Sequence, residues 1–564
     1  MSSILIFFFL LKIFCCVLSF VKKRKKKMSG EQEFYWSSLT YLFTFPALGG
    51  LLFGYDIGAT SFVLEQITTG DYSGVKWDNY LDDHTQLQGA ITSSSVFGAL
   101  LSSILVFQVA DYMGRKYELV VGALLYMIGA FIAALSARPS WNAETGIAVL
   151  IFGRVVYGCG IGFAMHGAPA YIGEMSPPSI RGVLISLKEA AIVLGILLGY
   201  LIGFLFSTVN GGWSYTFGLA MIFAAIMLGG SYFLLVESTR FLYLKGKLAQ
   251  AKESMDWILL PEASDRAFNE MADQNNSIRK ASIADGDGSL DSKTFSLAPK
   301  LTNSQSTNPP PPVYSKRFRP ALIAGVGLVF LQQVTGQPSV LYYAATIFKD
   351  AGLASVATVG VAAFKLVMTM IAVFTVDYYG RRSLLFIGIS CMLVALIALA
   401  IAFNFTTTSD DDDETKDIGP VQIVILFSMF VYIGGYQIGF GPIAWLLISE
   451  VFPLEVRGQA VAVAVQTNFF WNVVTSYLFP IATSAIGASK TFGIFALIDA
   501  FAIYFVFKFV PETKGLSLEE IEILLGSRVS PALRSISKAG DEYGNSTTSP
   551  LLRNGESYHG SYEA

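Results

Sequence analysis

Charge is scarce in this sequence. Only 14% of its 564 residues are Asp, Glu, Lys or Arg, against about a quarter in an ordinary soluble domain. Cysteine and histidine are scarcer still, at 4 and 3 residues. That leaves no material for a disulfide framework and little for a metal cluster. Cys15, Cys16, Cys159 and Cys391 all lie in apolar stretches, and the Cys15/Cys16 pair is a formal palmitoylation candidate. A basic excess is also missing. The net charge is −3, which excludes the strongly positive surface that a nucleic-acid partner requires. No Gly-rich phosphate loop and no ligand cluster appears, so neither cofactor nor metal is expected and a metal, flavin or nucleotide enzyme is disfavoured.

What is abundant is apolar. Hydrophobic residues make up 53% of the chain, with 44 Phe, and the mean hydropathy is +0.54. A soluble protein of this size could not hide that much apolar surface. The chain therefore reads as an all-α polytopic membrane protein with the lipid bilayer as its solvent. A helix needs roughly 20 apolar residues to cross a core of about 30 Å. Six such runs fall at about 39–64, 86–110, 117–137, 145–171, 183–206 and 214–236. Six more fall at about 320–348, 354–376, 384–405, 420–448, 459–480 and 491–510. The runs do not alternate as barrel strands would. The implied organisation is an N-terminal segment (1–36), a six-helix bundle (37–236), a central loop (237–319), a second six-helix bundle (320–510) and a tail (511–564).

Lys and Arg near the spans set orientation. The run Lys22–Lys27 precedes the first span, and the central loop holds twelve Lys/Arg. Arg115, Lys116, Arg181, Arg381, Arg382 and Arg457 share that side, while Asp71, Asp78, Asp82, Asp83 and Asp410–Glu414 lie opposite. Both termini and the central loop are expected in the cytosol. Residues 4–21 are apolar and admit three readings: a thirteenth helix, an uncleaved anchor, or an extended start before a working protein that begins at Met28. The third is preferred, because the twelve spans follow Met28. Residues 237–260 carry helical apolar spacing and are expected to form short amphipathic helices. The stretch 262–316, rich in Ser, Asn and Asp with Pro309–Pro312, is read as unstructured, as is the tail after about 526.

The chain repeats itself. Asp111, Gly114 and Arg115 after the second span recur as Asp377, Gly380 and Arg381 after the eighth, 266 residues on. Glu174 with Arg181-Gly182 recurs as Glu450 with Arg457-Gly458, 276 residues on. Glu237 with Arg240 after the sixth span answers Glu512 with Lys514 after the twelfth. Three signatures at equivalent places describe a duplicated six-helix unit repeated in parallel. That is a transporter architecture, in which two halves rock about a site near the midplane. Acids and arginines at these helix ends can pair between helices or between halves and act as a gate. Lone arginines would merely anchor helix ends to headgroups, but anchoring needs no matched Glu at fixed spacing.

These signatures, with GLLFGYDIGA (51–60), GRVVYGCGIG (153–162), FLQQVTGQPSVLYY (330–343), GFGPIAWLLISEVFP (439–453) and PETKGLSLEE (511–520), resemble the sugar porter family of the major facilitator superfamily. The likeness covers about 40–525 and extends to bacterial xylose–proton symporters, facilitative glucose transporters and plant vacuolar glucose transporter-like proteins. It implies the major facilitator fold, twelve transmembrane helices as two parallel repeats. Departures are Phe107 for a glycine before the DYMGRK loop, and VESTRFL (236–242) where the family has PESPRWL.

Ionisable groups within spans are expensive and are functional candidates by default. Asp56 and Arg154 lie at similar depth in the first and fourth spans, so they can face each other. The resemblance implies that Asp56 takes the proton and Arg154 tunes it. A neighbouring cation favours an ionised acid and burial disfavours it. A static buried ion pair is the alternative. For sugar contacts the resemblance implies Gln332, Gln333 and Tyr342, an aromatic floor at Trp445, and Asn468 with Phe469. Gly336 and Pro338 are expected to break the seventh span, with Pro338 where members usually have Asn. Glu189 stands where sugar-binding members have Gln, next to Lys188. It could pair with Lys365, serve as a second proton site, or accept a hydroxyl. His166 and Asp499 read as satisfied packing or helix-end residues.

The function expected is a proton-coupled monosaccharide transporter, hexose or pentose, working by alternating access between sugar and proton partners. A facilitative sugar or polyol uniporter and a non-transporting sugar sensor are the alternatives. Plasma membrane and vacuolar membrane both fit.

Overall fold

The computed structural model describes residues 34–69, 72–75, 77, 80, 81, 83–284, 315, 318–406, 419–452, 456–514, 520, 521 and 525. The apolar run 4–21, Lys22–Lys27, Pro309–Pro312, Asp410–Glu414 and the tail after 526 lie outside them, as do Cys15 and Cys16.

The N-terminal half contains α1 (Trp36–Thr69), α2 (Thr85–Met113), α3 (Arg115–Leu135), α4 (Ala143–Met175), α5 (Pro178–Phe206) and α6 (Gly212–Phe233). Three helices follow in the connecting segment: α7 (Thr239–Leu244), α8 (Leu248–Asp256) and α9 (Pro261–Ala284). The second half contains α10 (Arg319–Val334), α11 (Gln337–Tyr342), α12 (Ala344–Asp350), α13 (Val356–Tyr379), α14 (Arg381–Thr406), α15 (Pro420–Ile438), α16 (Phe440–Val451), α17 (Arg457–Ile486) and α18 (Ala488–Phe509). Among the described residues, 11 stretches are long and apolar enough to cross a membrane. The twelfth expected span, about 320–348, falls short of that length because it is divided into α10, α11 and α12. The division lies where the sequence places it. Gly336 adopts φ +94°, a conformation that costs any side chain, and Pro338 then sits in the first turn of α11.

The outside of the bundle inverts the soluble rule. Phe233, Val394, Phe427, Leu497 and Phe507 are exposed, as suits a surface wetted by lipid rather than water. Inside, α1 packs on α5, and α4 on α2 and α3; in the second half α14 packs on α15 and α18. The seam between α1 and α5 is glycine-lined. A methyl on Gly54 or Gly58 would meet the carbonyls of Ile192 and Ile196, and one on Gly195 or Gly199 those of Leu51 and Tyr55. Small residues of this kind let helix backbones touch in a membrane. The halves meet through α2 on α17, α5 on α13, and α11 and α12 on α1.

The connecting segment corrects one expectation. Helices α7 and α8 occupy 237–260 as expected, but α9 runs through 262–284, which reads as unstructured by composition. Pro261 opens it with Glu262 in the first turn, a favourable start, and neither Gly nor another Pro occurs before its end at Ala284. Lys252 Nζ donates to Asp265 at 2.6 Å and ties α8 to α9. Phe34 pairs with Leu259 in an isolated antiparallel bridge, so the entry to α1 is tied to this segment.

Candidate transport site

Between α1, α2 and α4 lies a buried ion pair. Asp56 is 4% exposed and Arg154 1%. Arg154 donates twice, from Nη1 to Asp56 Oδ1 at 3.1 Å and from Nη2 to Oδ2 at 3.3 Å. Ser95 Oγ donates to Oδ2 at 2.6 Å. The single Nε hydrogen is shared between the Ile91 carbonyl at 2.8 Å and the Ser94 hydroxyl at 3.2 Å, and Nη2 also reaches Ser95 Oγ at 3.0 Å and the Thr92 carbonyl at 3.4 Å. The Phe217 ring covers the guanidinium at 5.3 Å. Two buried charges held this way meet the condition for tolerating them in a bilayer, which is pairing supported by further hydrogen bonds. Ser95 carried no signal in the sequence; serines are ordinary in membrane helices.

A second polar cluster lines the break in the seventh span. Gln332 Nε2 donates to the Phe440 carbonyl at 3.0 Å, and Gln333 Nε2 donates to Asn468 Oδ1 at 2.5 Å. The Oε1 atoms of both glutamines are buried and have no hydrogen-bond partner, and the same holds for the Tyr342 hydroxyl. Phe469 meets Phe53 of the other half edge-on, with centroids 6.5 Å apart. Trp445 and Glu189 are half-buried. Tyr342 lies beside Ser95, in the electrostatic reach of Asp56 and Arg154. Lys365 and Glu189 do not form an ion pair, since no carboxylate of the described residues comes within 4.0 Å of the ammonium. Its ring neighbour is Tyr436, at 4.9 Å.

The two clusters adjoin. Tyr343 OH donates to Thr92 Oγ1 at 2.9 Å, one residue from which Arg154 is held. Tyr200 OH donates to the Leu341 carbonyl at 2.5 Å, and Ser61 Oγ accepts from Ala345 N at 2.9 Å. Helices α11 and α12, with Tyr343 between them, therefore hydrogen-bond to α1, α2 and α5 of the opposite half, at the end of the bundle away from the connecting segment.

At the other end the repeat is visible in atoms. Arg115 pairs with Glu174 at 3.2 Å and Arg381 with Glu450 at 3.0 Å. Ser238 donates to the second oxygen of Glu174, as Thr513 does to Glu450 at 2.6 Å. Glu237 accepts from the Lys116 N–H at 3.1 Å, capping α3, and Glu512 accepts from the N–H groups of Arg381 and Arg382 at 3.0 Å, capping α14. Burial pushes the Glu237 carboxyl up from its usual range, and the backbone N–H groups pull it back. Gly114 and Gly380, at φ +90° and +87°, leave room for these carboxylates. Arg181 and Arg457 instead donate back to the carbonyls of Ser176 and Phe452 at 3.2 and 3.1 Å. These pairs join neighbouring helices within each half. Arg240 is exposed on α7, and the side chains of Asp111 and Asp377 lie outside the described residues. Ser238 and Thr513 were missed by sequence reading, although their acid-then-hydroxyl doublets recur 275 residues apart.

Of the two residues read as satisfied packing or helix-end groups, one is satisfied. His166 Nδ1 lies 2.8 Å from Glu118, which Arg115 also binds at 2.9 Å, so it is a paired, packed group. Asp499 is fully buried in α18 with neither carboxyl oxygen hydrogen-bonded, so it is not satisfied packing.

Comparison with known proteins matches this arrangement. The family model described as sugar (and other) transporter matches residues 42–525. The D-xylose-proton symporter-like 3, chloroplastic, of Arabidopsis thaliana is 40% identical over 87% of this chain and 83% of its own length. The D-xylose transporter of Levilactobacillus brevis is 31% identical over 87% of this chain and 96% of its own. The inward-open xylose transporter XylE from E. coli superposes with a TM-score of 0.66 at 27% identity, over 85% of this chain and 98% of that one. With this match added to a duplicated, all-helical, lipid-faced bundle, the chain belongs to the sugar porters of the major facilitator superfamily, which are transporters and not enzymes.

Proposed function

We propose that this protein moves a monosaccharide across a membrane together with a proton, by rocking its two halves about the cluster around Gln332. The observation that carries the reading is the adjacency of two unlike sites. Buried amide oxygens without protein partners suit sugar hydroxyls, which donate. The Asp56–Arg154 pair, a few residues away through α11, suits a proton. A relative with a bound sugar analogue supports the first half of this: XylE, described as a proton:xylose symporter, has been solved with 6-bromo-6-deoxy-D-glucose. The names of the Arabidopsis and Levilactobacillus relatives support xylose as a substrate to test first.

In the cycle, sugar engages Gln332, Gln333 and Asn468 and draws on α10 and α11. Tyr343 and Thr92 pass that strain to the clasp around Arg154. Protonating Asp56 discharges one partner of the pair and frees the helices to move. The Arg115–Glu174 and Arg381–Glu450 clusters brace each half at the connecting-segment end, which we place in the cytosol with both termini. The membrane is the plasma membrane or the vacuolar membrane, with a plastid membrane added by the name of one relative.

Radiolabelled xylose and glucose uptake into proteoliposomes, with and without an imposed pH gradient, tests the reading. Uptake that overshoots equilibrium only with the gradient is expected. Uptake that equilibrates identically in both would make the protein a facilitator.

A further inference from the structure

A charge that neutral sugars leave unused lies beside the same polar cluster. Lys365, on α13, is 3% exposed, and its ammonium lies over the Tyr436 ring at 4.9 Å. The Tyr436 hydroxyl faces the Gln332 side chain, so ammonium and amide share one wall. Glu189 acts on Lys365 from α5 of the opposite half. It does so without an ion pair, and its stronger partner is its neighbour Lys188. Lys188, Glu189 and Lys365 thus leave one positive charge in surplus, while Asp56 and Arg154 neutralise each other. A buried ammonium with only an aromatic face beside it is poorly compensated for its lost hydration. An anion delivered with the substrate would complete it.

We infer that Lys365 is a carboxylate anchor and that the cluster around Gln332 takes a hexuronate, a sugar ring bearing one acid group. The carboxylate would bind Lys365 while ring hydroxyls donate to the unpaired Oε1 atoms of Gln332 and Gln333. Glu189 opposes a second acid group and limits the substrate to monoacids. The inference rests on the sugar-carrier reading above.

Full-length protein in detergent is titrated calorimetrically with D-glucuronate and with D-glucose at pH 7. Wild type is expected to bind glucuronate at least tenfold more tightly than K365M does, with glucose affinity within threefold in the two proteins. K365R should keep most of the glucuronate affinity, and E189Q should raise it several-fold by removing a like charge. Glucose binding without glucuronate binding in wild type overturns the inference and leaves the carrier reading standing. Equal losses of both ligands in K365M also overturn it, because the lysine would then be merely structural. Binding of neither sugar by folded wild type overturns the inference, and if D-xylose fails to bind in the same assay the carrier reading falls with it. Should K365M not fold, an unchanged glucuronate affinity in E189Q is the overturning result.

Discussion

At Asp56 the competing roles are a proton carrier and a structural anion, and the neighbours separate them. Arg154 is held by carbonyls and hydroxyls of α2 as well as by the carboxylate, so it keeps partners when the acid is neutralised. Asp56→Asn should therefore fold, retain sugar binding and lose pH-driven accumulation in proteoliposomes. A stable mutant that still concentrates sugar would remove Asp56 from the coupling step. Gln332→Ala tests the other cluster: losing a buried partner for a hydroxyl should weaken sugar binding by about 1–3 kcal/mol, read by titration, with normal expression. Both groups were legible in sequence, since ionisable and amide side chains stand out against apolar spans. Ser95, Thr92 and Tyr343, which connect them, were not. Their types are common in membrane helices, and only the packing of three helices brings them to one place.

The break after α10 is the element on which the Gln332 cluster depends. Gly336 holds φ +94°, and a methyl there would lie 2.6 Å from the Phe495 ring. Gly336→Ala should cost about 1–2 kcal/mol for the backbone alone, with more for displacing the ring. The measurement is the melting temperature in detergent, expected to fall by several degrees and to recover partly in the double mutant with Phe495→Ala. The break was legible because Gly and Pro two residues apart have few other uses inside a span. Helix α9 was not. Its Ser, Asn and Asp content imitates a linker, and what marks it as helical is the lack of helix breakers between Pro261 and Ala284. Composition averaged over the longer loop hides that.

Across the whole molecule, the twofold repeat was readable from helix-end signatures, whereas the contacts between halves were not, because no periodicity records which half faces which. The hydrogen bonds from Tyr200 to Leu341 and from Tyr343 to Thr92 close the end away from the connecting segment. Removing both hydroxyls with Tyr200→Phe and Tyr343→Phe should favour opening at that end by about 2 kcal/mol, roughly thirtyfold in population. Thiol labelling of a cysteine introduced at that end would report it. Unchanged labelling would mean that apolar packing alone keeps the end shut.

The glycine seam between α1 and α5 has a mechanical consequence. Two helices whose backbones touch along several turns have no side-chain cushion to shear, so they travel as one beam. Asp56 rides on one of them and Glu189 on the other, and their separation is thereby fixed for the whole cycle. The two carboxyl groups cannot drift relative to each other. Whatever timing links proton to sugar must then enter from the opposite half, through the short segments α11 and α12, which act as the moving pawl against a fixed rack. A bulky residue in the seam would not tune that timing; it would pry the beam apart.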